Sequence, residues 1–503
     1  WISEELLEKN NLAPEDYAYK NIHFPESGAA YNRANFRLIY DKLLAFQYSV
    51  LHNRRFLDAE CGNSRIKPVD MCVFTDSLPF KLTDGQQNAI SDIEHDLISD
   101  RAMNRLVQGD VGCGKTVVAE AAIFHAISAG WQAAFMAPTE ILARQHFSKL
   151  SMELGKFGMR TVLLVSGLKA AERREILEDI KNGDVDVVVG THALIQADVK
   201  FAKLGLVITD EQHRFGVNQR KVLAEKAEVV NVLVMSATPI PRTLAASLFG
   251  DMDVSTIETM PAGRIAPVTT LVKENSFRSV LADVKRLLDS GRQLYVICAA
   301  VDENEEYHAR NVYDTTESIQ KLFPKYKVAC LHGRMTTDEK QAIMQAFHDN
   351  DIQILVSTTV VEVGVNVVNA TGMIIYDADR FGLSQLHQLR GRIQRGSEQG
   401  YCWLLTSSQE ERVLQRLEVL VKSNNGFEIS YEDLRLRGPG DILGTRQSGV
   451  PDFILGNIVE DTAMINQARK DALKVMESAD NPDYQILLES VRKRNEKNAE
   501  YAD

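Results

Sequence analysis

The chain has no apolar run approaching the roughly 20 residues that span a bilayer, so it offers no candidate membrane segment. No signal peptide opens it. Its six cysteines, Cys61, Cys72, Cys113, Cys298, Cys330 and Cys402, are scattered, with no C-x-x-C pair and no histidine spacing suited to zinc. That argues against a disulfide scaffold or a zinc ribbon, and a reducing, cytoplasmic setting is the expectation. A basic excess is missing as well: 57 Lys and Arg against 69 Asp and Glu give a net charge of -12. Such a balance speaks mildly against a protein that coats nucleic acid electrostatically, while leaving room for a local basic groove.

What is present is 45% apolar content in 503 residues, enough for two or three domains with full cores. One stretch organises the rest: Gly109-Asp110-Val111-Gly112-Cys113-Gly114-Lys115-Thr116, preceded by apolar Leu106-Val107 and followed by Val117-Val118-Ala119-Glu120-Ala121-Ala122-Ile123. It reads as strand, tight glycine loop and helix, the context of a phosphate-binding loop. Gly109, Asp110, Gly112 and Gly114 let the backbone wrap a polyphosphate, Lys115 supplies a mobile cation, and the Thr116 hydroxyl can hold Mg2+.

Residues 1–79 carry no catalytic signature and read as a helical linker, with a helix over Asn32 to Arg55 packed on a neighbouring domain. From Phe80 the texture becomes alternating strands and helices, which predicts a parallel sheet covered on both faces. Strands are expected near Arg105–Gln108, Ala133–Ala137, Thr161–Ser166, Val185–Val189, Leu206–Thr209 and Asn231–Met235, making one nucleotide-binding domain over 80–262. A second series, Gln293–Ala299, Lys327–Leu331, Ile352–Val356, Gly372–Tyr376 and Tyr401–Leu405, makes a domain over 263–425 without a phosphate loop. Two similar α/β domains with a single loop imply one nucleotide held between them. Residues 426–503 complete the chain, and Asp433 to Gly449, with four glycines, a proline and three arginines, predicts neither a long helix nor a buried strand. Charged helices are expected over 458–499.

The strand Leu206-Val207-Ile208-Thr209 ends in Asp210-Glu211, which would face the loop across the sheet. Asp210 there can hold the metal shell and Glu211 can orient or deprotonate a water. Phosphoryl transfer also needs positive charge at the developing transition state, and the second domain offers Gln388-Leu389-Arg390-Gly391-Arg392-Ile393-Gln394-Arg395-Gly396, with Arg392 and Arg395 on one face if helical. Thr139, Thr191 and His192 fall at strand ends, where they can meet phosphate oxygens or merely cap helices. From 380 to 450 there are ten Lys and Arg against eight Asp and Glu, a local lean of +2.

In order and spacing, Phe80 and Gln86, GDVGCGKT, Ala137-Pro138-Thr139-Glu140, Gly190-Thr191-His192, DEQH ending at His213, Ser236-Ala237-Thr238, Ser357-Thr358-Thr359 and QLRGRIQRG together resemble the superfamily 2 helicases. More narrowly, DEQHRFGV, MSATPIPRTLA, STTVVEVGVNVVNA and DLRLRGPGDILGTRQSG resemble the RecG family of bacterial branched-DNA helicases, from about residue 20 to the C-terminus. The resemblance implies two tandem RecA-like domains and an ATP- and Mg2+-dependent double-stranded DNA translocase that reverses stalled forks and migrates junctions. It implies a monomer in the bacterial nucleoid, with single-stranded-DNA-binding protein as a further partner.

By the same resemblance Phe80 and Gln86 recognise adenine, and Gly364 lies in the nucleotide site. Arg392, Arg395 and Gln388 join Lys115, Asp210 and Glu211 in catalysis. Thr139, Thr191, His192, His213, Ser236, Thr238 and Thr358 contact or couple to DNA. Arg437, Arg446 and Gln447 belong to a translocation motif. Gln394 stands where the family has glycine. That family carries an N-terminal oligonucleotide-fold wedge domain, for which residues before 80 supply no barrel. The chain, which begins at Trp1, is thus expected to be the motor portion of a longer protein or a wedge-free translocase. A transcription-repair-coupling translocase and a nucleotide-gated DNA-binding module with little turnover are the alternatives.

Overall fold

In the computed structural model, the described residues are 2–60, 66–210, 230–239, 252–261, 263, 265–273, 276, 278–299, 311–359, 367–393, 398–437, 462–478 and 481–489. Strands β1 (Asn104–Gly109), β2 (Gln132–Met136), β3 (Thr161–Leu164), β4 (Val187–Gly190), β5 (Leu204–Asp210), β6 (Asn231–Ser236) and β7 (Asp253–Ile257) form one sheet. Its order is β3-β4-β2-β5-β6-β1-β7, with every pairing parallel. Strands β8 (Val268–Lys273), β9 (Gln293–Ile297), β10 (Val328–Leu331), β11 (Ile354–Ser357), β12 (Ala370–Ile375) and β13 (Tyr401–Thr406) form a second parallel sheet, in the order β10-β11-β9-β12-β13-β8.

Both sheets are buried on two faces, as parallel sheets with crossover helices must be. Along β2, Ala133 and Phe135 enter one core while Ala134 and Met136 enter the other. Along β9, Tyr295 and Ile297 face one core and Leu294 and Val296 its opposite. The helix Lys115–Ser128 is buried from Val117 to Ala126, which fits its apolar residues on all sides. Its one buried acid, Glu120, has Lys149 at 2.7 Å; burial pushes the Glu120 carboxyl up, and the lysine opposes that.

Two edge strands, β7 and β8, were not predicted. Both mix polar residues among apolar ones instead of running apolar throughout, and they flank the Pro261 and Pro267 stretch where the chain passes between sheets. β7 is tied in by Arg105, whose guanidinium reaches Asp96 (2.6 Å), Asp92 (3.3 Å) and Ser255 (2.8 Å).

The region after 425 also departs from expectation. Asp433 to Arg437, predicted to be unable to enter a long helix, closes the helix Gly426–Arg437, because the glycines and proline begin only at 438 and Leu434 is buried.

The ends of the chain come together. Helices Glu4–Lys9 and Gly28–Glu60 pack against Thr462–Glu477, with Leu44, Tyr40, Ala468 and Val475 in a shared core, and Glu15–His23 lies against Gly28–Glu60. Asp471 is the polar centre of that contact, accepting from Lys9 (2.6 Å), Tyr40 (2.6 Å) and Asn10 (2.9 Å). Residues 66–78 instead join the first sheet's core through Ile66 and Phe74. The helical linker expected over 1–79 therefore divides between the two neighbours. No described helix is long and apolar enough to cross a membrane.

Candidate active site

In a parallel sheet the C-terminal strand ends share one edge, where ligands of such folds bind. Here that edge carries Gly109 closing β1, Thr139 after β2, Thr191 after β4, Asp210 closing β5, and Ser236 with Thr238 at β6. β6 alone separates β5 from β1.

The glycine loop is shaped by its small residues. Gly112 and Gly114 have φ of 79° and 91°. A Cβ on Gly109 would lie 2.5 Å from Cys113 Sγ and 2.8 Å from the Ile257 carbonyl. One on Gly114 would lie 2.2 Å from Gln86 Nε2. Lys115 Nζ donates to the carbonyls of Gly109 (2.7 Å) and Asp110 (3.0 Å), so its ammonium is folded onto its own loop. Thr116 sits in the first turn of the helix. A cradle that only glycine permits, a helix N-terminus and a cation over the loop fit a nucleotide's phosphates.

Gln86 is buried, and its amide is engaged at both ends. Oε1 accepts from Thr83 N (2.9 Å) and Nε2 donates to the Cys113 carbonyl (2.8 Å). It therefore holds the loop from behind. Phe80 is 53% exposed, open to a flat ligand. Asp210 pairs with His146, a residue that the sequence did not single out; Nε2 and Oδ2 are 3.0 Å apart, and the His146 ring packs on Phe135.

Other expected residues divide by environment. Thr139 caps the helix Glu140–Gly155, its hydroxyl 3.5 Å from Leu142 N. Thr191 is buried and His192 exposed at the start of a short 3-10 turn. Ser236 and Thr238 bond each other, hydroxyl to hydroxyl at 2.9 Å. Thr358 and Gln388 are buried, and Arg392 is half-buried. Arg437 ends its helix. Glu211, His213, Gly364, Gln394, Arg395, Arg446 and Gln447 lie outside the described residues.

The second domain meets the loop directly. In the helix Leu383–Arg390, His387 Nε2 stands 2.5 Å from Asp110 Oδ1, and Arg390 donates to His387 Nδ1 at 2.9 Å. A guanidinium can only donate, so Nδ1 accepts and Nε2 carries the proton toward Asp110. The backbone N–H of Gly426 donates to Asp110 Oδ2 at 2.9 Å. Burial pushes the Asp110 carboxyl up, but His387 and the N–H groups of Gly426 and Val111 prevail and hold it below its ordinary value. Arg390 is buried and also donates to the Leu420 carbonyl (2.6 Å) and the Ser423 carbonyl (3.1 Å). His387 adjoins the arginine motif that the sequence picked out, but nothing local marks its partner.

A parallel sheet bearing the phosphate loop, joined at that loop to a loop-free second sheet with an arginine-bearing helix, defines a two-domain nucleotide-driven motor of the helicase class. Family models agree: residues 83–247 match the DEAD/DEAH box helicase domain and 279–397 the helicase conserved C-terminal domain. Residues 423–503 match domain 3, C-terminal, of ATP-dependent DNA helicase RecG. ATP-dependent DNA helicase RecG of Staphylococcus aureus is 45% identical over 486 residues, covering 95% of this chain and 70% of the relative. That of Staphylococcus epidermidis is 46% identical with the same coverage. The chain belongs to the RecG family of ATP-dependent DNA helicases. Among solved structures, RecG bound to a three-way DNA junction matches with a TM-score of 0.76 and 38% identity over 92% of this chain. This chain covers 61% of that one, less than two thirds of its length. The helicase MrfA bound to DNA, at 16% identity and a TM-score of 0.54, shares the fold.

Proposed function

We propose that this chain is the ATP-driven motor of a branched-DNA helicase, translocating on duplex DNA to reverse stalled forks and migrate junctions. What carries this is the direct contact between the Gly109–Thr116 loop and the second domain's Leu383–Arg390 helix, which lets events at the loop move one domain against the other. The likeness to a RecG described as bound to a three-way DNA junction supports branched DNA as the substrate.

Bound ATP would supply the phosphoanhydride to be cleaved, and Mg2+ would supply positive charge to offset that of the phosphates. Lys115 neutralises phosphate charge, Thr116 and Asp210 hold the metal, and Glu211 orients or deprotonates the attacking water. Among the described residues no three His, Cys, Asp or Glu form a metal cage, and a metal shared with phosphates needs none. Arg392 and Arg395, with Gln388, supply charge and positioning from the second domain; Phe80, Gln86 and Gly364 complete the nucleotide site. Thr139, Thr191, His192, His213, Ser236, Thr238 and Thr358 grip or couple to the DNA backbone, and Arg437, Arg446 and Gln447 turn hydrolysis into movement. The chain acts as a monomer in the bacterial nucleoid, with single-stranded-DNA-binding protein as a partner.

ATPase assays with no DNA, linear duplex and a synthetic three-way junction test this. Stimulation should be greatest with the junction, and rates indifferent to DNA would sink the motor reading.

A further inference from the structure

We propose that Asp110 is a positioning residue through which the phosphate loop holds both the arginine-bearing helix and the helix Gly426–Arg437. It rests on the motor reading above and adds a mechanical link to it. Asp110 occupies the second position of the glycine loop, where a carboxylate has no use in binding a polyanion. Like charge there is a liability unless something else engages it.

Every oxygen of that carboxylate is engaged. Oδ1 accepts from Val111 N within the loop (2.6 Å) and from His387 of the second domain (2.5 Å), and Oδ2 accepts from Gly426 N (2.9 Å). The side chain is only 13% exposed. Behind His387, Arg390 extends the chain of contacts to the carbonyls of Leu420 and Ser423, which lead into Gly426. A loop carboxylate, an imidazole, a guanidinium and the start of the next helix thus form a closed ring across the two domains.

The steric fit is as specific as the charge. A Cβ on Gly426 would lie 2.8 Å from the Asp110 carboxyl carbon, and one on Gly391 would lie 2.7 Å from Val111 Cγ1. Neither glycine has a positive φ, so close approach to the loop accounts for both. The main-chain carbonyl of Asp110 also accepts from Lys115 Nζ. Phosphates arriving in the cradle compete for that ammonium, and the residue released at its backbone is the one that anchors the second domain at its side chain. Loading the loop and shifting the two helices are therefore mechanically one event.

Three variants test the link in the whole chain: Asp110→Ala, His387→Ala and Gly426→Ala. The last two leave the loop's own Asp110–Val111 bond intact, so they report on the link even if Asp110→Ala disturbs the loop. The measurements are thermal unfolding, binding of a fluorescent ATP analogue without DNA, and junction-stimulated ATPase. We expect His387→Ala and Gly426→Ala to unfold cooperatively and bind the analogue within about threefold of wild type, while stimulated kcat falls roughly tenfold. Combining Asp110→Ala with His387→Ala should cost no more than the worse single change, because both remove one contact. Full stimulation in His387→Ala and Gly426→Ala, multiplying losses in the double variant, or a loss confined to analogue binding would each overturn the link. A wild type that DNA does not stimulate would instead overturn the motor reading.

Discussion

His146 Nε2 stands 3.0 Å from Asp210 Oδ2, tying the helix Glu140–Gly155 to the end of β5. Phe135, whose ring centroid is 4.5 Å from that of His146, fixes the imidazole plane. In the proposed role of Asp210 as a metal holder, His146 is the outer partner that orients it, and losing such a partner typically costs about 10-fold or more. His146→Ala should raise the Mg2+ concentration that half-saturates ATPase by that factor while leaving nucleotide binding without metal in place. An unchanged Mg2+ midpoint would remove His146 from the site.

Lys115→Ala should abolish ATP turnover. The partners Lys115 now holds are backbone carbonyls of its own loop, which water can satisfy, so unfolding should be unaltered. Hydrolysis at the wild-type rate by the purified variant would refute the assignment of the loop.

Asp471 should govern the acid stability of the unit made by the two chain ends. It is fully buried, and although burial raises its carboxyl pKa, the contacts from Lys9, Tyr40, Gln467 and Asn10 prevail and hold it below the ordinary aspartate value. A depressed pKa stabilises the fold above the unfolded value, and that stabilisation is lost as pH falls through the folded one. Asp471→Ala should cost about 1–3 kcal/mol at neutral pH, because it leaves the buried Tyr40 hydroxyl without its acceptor while Lys9, 43% exposed, turns to water. Denaturant titrations should show this gap closing below about pH 4; a pH-independent gap would mean that packing, not charge, is lost.

Gln293→Ala should weaken the second sheet. The Gln293 amide donates to the buried carbonyl of Phe347 (2.5 Å) and the part-buried one of Ile352 (2.7 Å), and accepts from Asn369 (3.1 Å). Leaving one buried and one part-buried carbonyl unpaired costs about 1–3 kcal/mol. Hydrogen exchange in β9 and β11 should accelerate selectively, with the first sheet unaffected. Uniform acceleration in both sheets would contradict a local role.

The loop, its strand and its helix were legible because everything that shapes them is contiguous. The glycines, Lys115 and the apolar flanks sit within one window, and φ at Gly112 and Gly114 comes from local sterics. The central strands were legible for a similar reason, since burial on both faces leaves continuous apolar runs. β7 and β8 were not, because polar residues such as Ser255, Thr256, Thr269 and Thr270 interrupt their apolar ones. Nor was the bond of His387 to Asp110, which joins residues 277 apart through folded topology that no window spans. The helical ending at Asp433 to Arg437 was obscured because glycines just downstream coloured the reading of the whole stretch.

β8 has a clear counterpart in the first sheet. In the first sheet β2, β5, β6 and β1 stand side by side, and in the second β9, β12, β13 and β8 do the same. Gln132 opens β2 as Gln293 opens β9, each plugging two carbonyls of the adjoining helix-to-strand turn. β8 is thus the counterpart of β1, and the residues just after it, Glu274-Asn275-Ser276-Phe277, include no glycine. The two halves thus share one strand layout, and only the first carries a glycine cradle on it. The half without the cradle has no obligation to hold phosphate, which suits it to be the lever that the other's one fuel moves.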